Sequence, residues 1–238
     1  NAASMRIKGI TYVLYRALGY DGISRIGLWT SKDGIKQKER LNYPVFGPES
    51  EYELPTDIKA RQEEHLKRYG MFREVGGTED PRIQIIGDRI YMLYTAYGES
   101  AQIAMASISI DDFINRRWTG WKRHGLVFPG VEDKDAILID SEKGLYLIHR
   151  MGGRKMYSMR FENIEELVKW IEKANSMNEQ DVYAYISQNS KVLIEPRPGI
   201  DEKIGAGAQI LKTEYGWLNI YHAVENINGN RSYTLYVL

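Results

Sequence analysis

The sequence of 238 residues contains no cysteine, which excludes a disulfide scaffold and thiolate metal sites and fits a reducing compartment. Its 32 basic side chains balance 32 acidic ones, so no overall field attracts nucleic acid or an anionic membrane. No apolar run is long enough to span a membrane, and no charged start with an apolar core resembles a signal peptide. We therefore expect a cytoplasmic protein that binds neither nucleic acid nor membranes.

Signatures of cofactor and nucleophile chemistry are also missing. The four histidines show no metal-ligand spacing. The nucleophile-elbow pattern Gly-x-Ser-x-Gly and the phosphate-loop pattern are absent. From these absences we expect no metal and no cofactor.

What the sequence does contain is a short apolar phrase, ending in a polar residue, that recurs four times. The copies lie at 12–16, 91–95, 146–150 and 218–222. A turn and a second strand follow each copy, predicted at 25–30, 102–108, 155–160 and 232–237. Strand-turn-strand units repeated over tens of residues are typical of propeller blades. The pattern predicts an all-β protein, with a single domain over residues 1–238.

Two segments break the strand pattern and are predicted to be helical insertions, near 55–70 and 163–180. In the first, Thr56 or Asp57 can cap the helix and Gly70 can end it. In the second, Asn163 and Glu166 have the spacing of a capping box. We expect both insertions to decorate the repeated array.

The last position of the four phrases holds residues that suit an anion. Arg16, Thr95, Arg150 and His222 occupy this position. If the units surround an axis, equivalent positions face a common centre. Two arginines and a histidine would then converge on one small volume.

A further cluster of special residues lies at 76–82, where two glycines precede Thr-Glu-Asp-Pro-Arg. Pro81 is expected to push Asp80 into extended geometry at the entrance of a strand predicted at 83–86. Taken alone, the segment is explained by a turn with an Asp-Pro step. Lys134 and Asp135 stand in the same place before a strand predicted at 136–139, and Lys203 before one at 209–212.

Together these positions give a repeat-related cationic set, made up of Arg16, Lys134, Arg150, Lys203 and His222. Arginine offers forked donors and lysine a point charge, which suits a tetrahedral oxyanion, and Tyr233 could add a hydroxyl donor. A carboxylate beside a cationic pocket of phosphate size suggests group transfer to phosphate.

Motifs spread over nearly the whole chain resemble those of glycoside hydrolase family 130, which contains inverting phosphorylases of β-mannosides. They are Gly-Thr-Glu-Asp-Pro-Arg-Ile at 77–83, Lys-Asp-Ala at 134–136, His-Arg at 149–150, Lys-Ile-Gly-Ala-Gly at 203–207, and Gly-Trp-Leu at 216–218 with Tyr-His at 221–222. The resemblance implies a five-bladed β-propeller with its active site on the axis.

The resemblance also implies a reaction and its residues. Asp80 would be the general acid, protonating the departing oxygen through a hydroxyl of the mannosyl ring. Inorganic phosphate, as co-substrate, would attack the anomeric carbon of a mannoside disaccharide or oligosaccharide and give α-mannose 1-phosphate. The implied phosphate ligands are Arg150, Lys203, His222 and Tyr233, with Lys134 close by. The implied sugar contacts are Asn1, Arg16, Asp135 and Arg82.

The sequence departs from the family pattern at Ile139-Asp140, at Ala208-Gln209 and at Ala2, which concerns the shape of the sugar subsites. Only four phrases are visible, whereas the family has a further blade. Either the natural chain is longer at its ends, or another subunit closes the ring as in a homo-oligomer.

Two alternatives remain open from the sequence. The first is an inverting β-mannosidase of the same architecture, with an acidic partner such as Glu79, Asp133 or Glu225 facing Asp80. The second is a glycan-binding propeller without catalytic activity.

Overall fold

A computed structural model describes residues 2–227 and 229–238. The strands in this part of the chain are β1 (Ala2–Ile7), β2 (Ile10–Leu18), β3 (Ile23–Ser31), β4 (Gln37–Arg40), β5 (Gly76–Ile86), β6 (Arg89–Tyr97), β7 (Ala101–Ser109), β8 (Lys122–Leu126), β9 (Asp133–Ser141), β10 (Gly144–Met151), β11 (Met156–Phe161), β12 (Ser190–Ile194), β13 (Asp201–Ala206), β14 (Leu211–Thr213), β15 (Gly216–Leu218), β16 (Ile220–Ile227) and β17 (Asn230–Val237). The α-helices are α1 (Ile58–Tyr69), α2 (Ile110–Ile114), α3 (Ile164–Ala174) and α4 (Glu179–Asn189). Short 3-10 helices lie at Glu51–Glu53 and Trp118–Gly120.

The strands form four antiparallel groups in chain order. The first three groups are β1–β4, β5–β8 and β9–β12, and the fourth consists of β13, β16 and β17. A short parallel contact joins the first two groups, where Ile23 pairs with Gly76 and Ser24 with Gly77. The recurring phrase falls on β2, β6 and β10, and the last three residues of its fourth copy lie on β16; these are the second strands of the groups, and the predicted partner strands are β3, β7, β11 and β17.

The fourth group differs from the prediction at its first strand. This strand is β13 at Asp201–Ala206, not a strand at 209–212, and the register of β13 on β16 pairs Ile204 with Ala223. Leu211–Thr213 instead forms a separate hairpin with Gly216–Leu218. Burial of Ile204 and Ala206 stabilises this strand in spite of the glycines at 205 and 207.

The groups pack face to face, and their central strands bury side chains on both faces. On β6, Met92 packs toward the first group and Leu93 toward the third. On β10, Leu147 shares a core with the second group, and Ile148 packs with Ile204 of the fourth. Alternate residues of a strand point to opposite faces, so each of these strands joins two cores. This stacking of sheets in chain order is that of propeller blades.

Helices occur at both predicted insertions. In α1, Asp57 accepts a hydrogen bond from the Ala60 amide at 2.8 Å, and Gly70 ends the helix with φ of 69°. In α3, Asn163 accepts one from the Glu166 amide at 3.0 Å. The sequence reading missed α2 and α4, because α2 is short and α4 is mostly polar, with two residues in the core.

Within residues 2–227 and 229–238, no helix has the length and apolar character needed to cross a membrane.

Candidate active site

Asp80 lies in an irregular stretch of β5. Its φ is 45°, on the left-handed side, so the predicted extended geometry is wrong. The reason is a break in the β5–β6 ladder between Glu79 and Arg82, which leaves Asp80 and Pro81 outside regular pairing. Arg82 Nη1 donates to the Asp80 carbonyl at 2.8 Å and stabilises this turn of the backbone. Non-glycine residues adopt positive φ rarely, and such strain is common at functional sites.

Asp135 repeats this geometry in the next group. Its φ is 58°, and the β9–β10 ladder also shifts register beside it, between the pairs at Ile148 and Arg150. Asp80 and Asp135 are therefore equivalent residues of neighbouring groups. The repeat holds two acidic side chains in the same unusual conformation.

A cleft of about 460 Å³ opens beside Asp80. Its lining consists of Arg16, Glu74, Glu79, Asp80, Thr95, Tyr97, Glu99, Ser100, Ala101, Glu132 and Lys134. The Asp80 side chain is 18% exposed, and Arg16 Nη1 lies 3.9 Å from Asp80 Oδ1. The cleft thus places a carboxylate, a guanidinium and an ammonium group within reach of a polar molecule.

Arg82 connects this cleft with a second cluster around Asp135. The Arg82 side chain is 1% exposed, donates to the Ala206 carbonyl at 3.1 Å and lies 3.7 Å from Asp135 Oδ1. Burial lowers the pKa of Arg82, whereas Asp135 and Asp80 raise it. Because guanidinium stays protonated in proteins, Arg82 is a fixed buried cation that joins β5, β9 and β13.

Arg150 is held in the second cluster by three contacts. Its Nη2 lies 3.2 Å from Asp135 Oδ2, its Nη1 donates to the Ile204 carbonyl at 3.1 Å, and its backbone amide donates to Asp133 Oδ1 at 2.9 Å. These contacts come from β9 and β13, so the position of the guanidinium depends on how the third and fourth groups meet.

Asp133 and His149 support this position from behind. His149 Nδ1 lies 2.5 Å from Asp133 Oδ2, and its Nε2 lies 3.1 Å from Ser190 Oγ. The three residues have the order of a Ser-His-Asp triad, but His149 is fully buried. Because a reagent cannot reach the buried imidazole, we interpret the group as a structural support for Arg150.

The side chains of Asp135, Arg150 and His222 meet over Gly205. A Cβ on Gly205 would lie 2.4 Å from Asp135 Oδ2, 2.8 Å from Arg150 Nη1 and 2.8 Å from His222 Cε1. Gly205 also pairs with His222 in the ladder between β13 and β16. A residue without a side chain is therefore required for these three groups to come together.

His222 also lies near Tyr233 and Lys203. The His222 and Tyr233 rings are 5.7 Å apart, and Tyr233 is 68% exposed. Burial lowers the pKa of His222, Asp135 raises it, and the cations Arg150 and Lys203 lower it further. A histidine with a lowered pKa is neutral at pH 7, so the imidazole can donate one hydrogen bond without adding charge.

The structure thus places the predicted site residues in two adjoining clusters. Asp80, Arg16, Thr95 and Lys134 line the cleft. Asp135, Arg150, His222, Lys203 and Tyr233 form the second cluster, which Arg82 connects to Asp80. Lys134 lies opposite Arg150 in the β9–β10 ladder and so stands at the boundary. Asn1 lies outside the described residues.

The sequence reading did not single out Gly205 or the supporting role of Asp133. From the sequence, Asp133 is considered only as an acidic partner facing Asp80, because the strand is predicted to start at 136 rather than at Asp133. Among residues 2–227 and 229–238, no group of three or more histidine or acidic side chains is arranged to hold a metal ion.

Stacked antiparallel groups, with a polar cleft lined by residues of the first three, form a β-propeller of the five-bladed type, in which about four blades are recognisable. The family model described as beta-1,4-mannooligosaccharide phosphorylase matches residues 3–238. The chain belongs to this family, glycoside hydrolase family 130, as its motifs predicted.

Curated relatives come from Thermoanaerobacter sp. (strain X514). A 1,2-beta-oligomannan phosphorylase is 28% identical over 96% of this chain and 65% of its own length. A beta-1,2-mannobiose phosphorylase is 29% identical over 88% of this chain and 55% of its own length. The chain therefore spans less than two thirds of the curated relatives it matches.

A solved structure, a glycosyl hydrolase from Bacteroides ovatus, has a TM-score of 0.67 at 21% identity. The match covers 99% of this chain and 65% of that one. At this level of identity the likeness concerns the fold.

Proposed function

We propose that this chain carries the catalytic cleft of an inverting phosphorylase that cleaves a β-mannosidic bond with inorganic phosphate and releases α-mannose 1-phosphate. Family membership and the phosphorylase names of the curated relatives support the proposal. The observation that carries it is the meeting of Arg150, His222 and Asp135 over Gly205, next to the Asp80 cleft.

Phosphate is the anion that the second cluster suits best. Arg150 provides a guanidinium fixed by its neighbours, Lys203 a point charge, and His222 and Tyr233 neutral donors. Lys134 adds charge from the cleft side. These groups would position a dianionic nucleophile and offset its charge in the transition state.

On the cleft side, Asp80 would supply the proton for the leaving oxygen through a hydroxyl of the mannosyl ring. A phosphate oxygen forms the new bond to the anomeric carbon as the glycosidic carbon-oxygen bond breaks on the opposite face. One displacement of this kind inverts the configuration. Arg16 would contact the sugar.

Two residues implied as sugar contacts receive a modified role in this proposal. Arg82 is buried, and its Nη1 and Nη2 donate to the carbonyls of Asp80 and Ala206, so we assign it to holding the Asp80 backbone. Asp135 is buried between Arg82 and Arg150 and would orient both guanidinium groups.

The proposal is tested by incubating β-1,2-mannobiose and β-1,4-mannobiose with the protein, with and without phosphate. Mannose 1-phosphate, followed by phosphorus NMR, should form only when phosphate is present. Asp80→Asn should lower kcat by about 10³-fold while phosphate still binds, because a general acid contributes on the order of 10²–10⁴. Asp88→Asn, at an exposed turn, is the control. Equal sugar release without phosphate would contradict a phosphorylase.

The hydrolase alternative needs a second carboxylate that activates water opposite Asp80. Asp133 is buried and bound by His149 and Arg150, and Glu225 interacts with Arg197 on the surface. Glu79 directly precedes Asp80 and pairs with Arg16. Asp133 and Glu225 are engaged outside the cleft, and Glu79 is paired with Arg16 inside it, so these three acids favour the phosphorylase over the hydrolase.

A further inference from the structure

Arg16 lies among three carboxylates. Its Nη2 contacts Glu74 and lies 3.2 Å from Glu79 Oε1, whereas its Nη1 lies 3.9 Å from Asp80 Oδ1. Its Nε donates to Ser24 Oγ at 3.1 Å. The orientation of the guanidinium is therefore set by the balance among these groups.

Glu79 and Glu74 differ in their surroundings. The Glu79 side chain is 8% exposed and the Glu74 side chain 36%. An ion pair with an exposed partner is weak, since water competes for both charges. A buried carboxylate holds its partner in a more defined position, so Glu79 is the stronger anchor for Arg16.

The environment of Glu79 makes this anchor sensitive to pH. Burial raises the pKa of Glu79 to about 7, and Asp80 on the same strand also raises it. Arg16, a hydrogen bond with Ser24 and the charge of Lys134 act in the opposite direction. These groups face Glu79 from β2, β3, β5 and β9, and Thr95 lies opposite it on β6.

We propose that Glu79 is a positioning residue, whose carboxylate holds the Arg16 guanidinium in the cleft beside Asp80 and so fixes the geometry for sugar binding. This role rests on the proposed function, because it takes Arg16 as a contact of the mannosyl ring. Without Glu79, the exposed Glu74 would be the remaining acidic partner at Nη2 and would draw the guanidinium away from Asp80.

The effect should be confined to the sugar side. Arg150 is held by Asp135 and by the Ile204 carbonyl of β13, and His222 lies beside it over Gly205, so these positions do not depend on Arg16. Loss of Glu79 should therefore weaken mannoside binding and leave phosphate binding intact.

The experiment measures the affinities for mannobiose and for phosphate separately by titration calorimetry between pH 5.5 and 8.5. Wild-type affinity for mannobiose should rise as Glu79 ionises near pH 7. Glu79→Gln should lose this rise and bind mannobiose about 10-fold more weakly at pH 8, with phosphate affinity within about twofold. Glu39→Gln, which removes a carboxylate from an exposed ion pair with Arg116 outside the cleft, is the matched control and should leave mannobiose affinity within about twofold of the wild-type value. Glu79→Asp, which keeps a carboxylate, should recover part of the loss.

Arg16→Gln provides an independent test. It should abolish the pH dependence by itself, and Glu79→Gln should add no further loss in this background, because coupled residues are not additive. Additive losses, equal losses of both ligands, or a pH dependence that persists in Arg16→Gln would overturn the proposal. Since binding needs no turnover, a protein that binds mannobiose but shows no phosphate-dependent cleavage would reject the proposed function alone.

Discussion

At the residue scale, the site depends on three backbone positions with unusual requirements. Asp80 and Asp135 have positive φ, and Gly205 leaves no space for a Cβ. Strain of this kind persists only where surrounding contacts fix it, and here Arg82 contacts both acidic residues. The backbone thus determines where the acidic and cationic side chains meet.

Gly205→Ala tests whether Asp135, Arg150 and His222 need the space at Gly205 in order to meet. The added methyl group would overlap Asp135 and Arg150, so we expect the KM for phosphate to rise by about 10-fold or more, since one displaced charged contact is worth ~1.5–3 kcal/mol. The KM for mannoside should change less. Gly47→Ala is the control, because its Cβ would make only an ordinary contact with Arg25 at 3.5 Å. Equal effects of the two substitutions would contradict the assignment.

The raised pKa of Glu79 predicts that the stability of the fold depends on pH. Its pKa is about 7 in the fold and 4.5 when unperturbed, so the folded state binds the extra proton between these values. Stability from this group is therefore fully present below pH 4.5 and is lost as the pH rises through 7. Relative to Glu79→Gln, the free energy of unfolding of the wild-type protein should fall by up to ~3 kcal/mol between pH 4.5 and pH 8, at ~1.4 kcal/mol per pKa unit.

Urea unfolding of both proteins at pH 4.5, 6 and 8 measures this difference. The contributions of the other titrating groups are common to both proteins and cancel in the comparison. A constant gap between the two proteins would show that Glu79 does not titrate in this range. A loss of stability on ionisation, at a residue that positions Arg16, would be an exchange of stability for function.

At the element scale, the repeated unit accounts for both the fold and the site. β5 and β9 each carry a break in their ladder at the acidic residue, opposite the end of the recurring phrase on β6 and β10. Bulges of this kind re-aim side chains without ending the sheet. The same break in the ladder, in two neighbouring blades, therefore brings Asp80 and Asp135 to either side of Arg82.

The helix α3 should be held to the blades mainly by its apolar face. Ile171 is fully buried in the core shared with Leu147, whereas Lys169 is exposed. Ile171→Ala should lower the free energy of unfolding by about 2–5 kcal/mol, because it removes buried methylene groups and leaves a cavity. Lys169→Ala should stay within about 0.5 kcal/mol. Thermal and urea unfolding measure both, and similar small effects would indicate that α3 is detached.

At the scale of the whole molecule, the first and last groups also touch. The Gln209 amide group donates to the Ser4 carbonyl at 2.8 Å and accepts from the Ser4 backbone amide at 3.2 Å. These two residues are 205 positions apart, so the contact links β1 with the segment that follows β13. The contact thus joins the first group to the segment beside the fourth group.

Gln209→Ala tests this link. Loss of two exposed hydrogen bonds should lower stability by about 1 kcal/mol, at the low end of a net ~0.5–1.5 kcal/mol per bond. Phosphate affinity should be unchanged, because Arg150 is held by Asp135 and the Ile204 carbonyl, whereas Gln209 bonds Ser4. Unfolding with and without phosphate separates the two quantities. A large loss of phosphate affinity would show that the link also shapes the anion cluster.

Much of the architecture could be predicted from local patterns. The recurring phrase located β2, β6 and β10, and capping residues located α1 and α3. The motifs around Asp80, Lys134 and Lys203 identified the family. These features depend on residues close together in the chain, where periodicity and capping are visible in the sequence.

Only the tertiary structure decided the conformation of Asp80, the start of the fourth group at β13 and the pairing of Glu79 with Arg16. Each depends on residues far apart in sequence. Ladder register, burial and distances between charges arise only when the groups pack. The sequence determined which chemical groups the protein carries, and packing determined which of them meet.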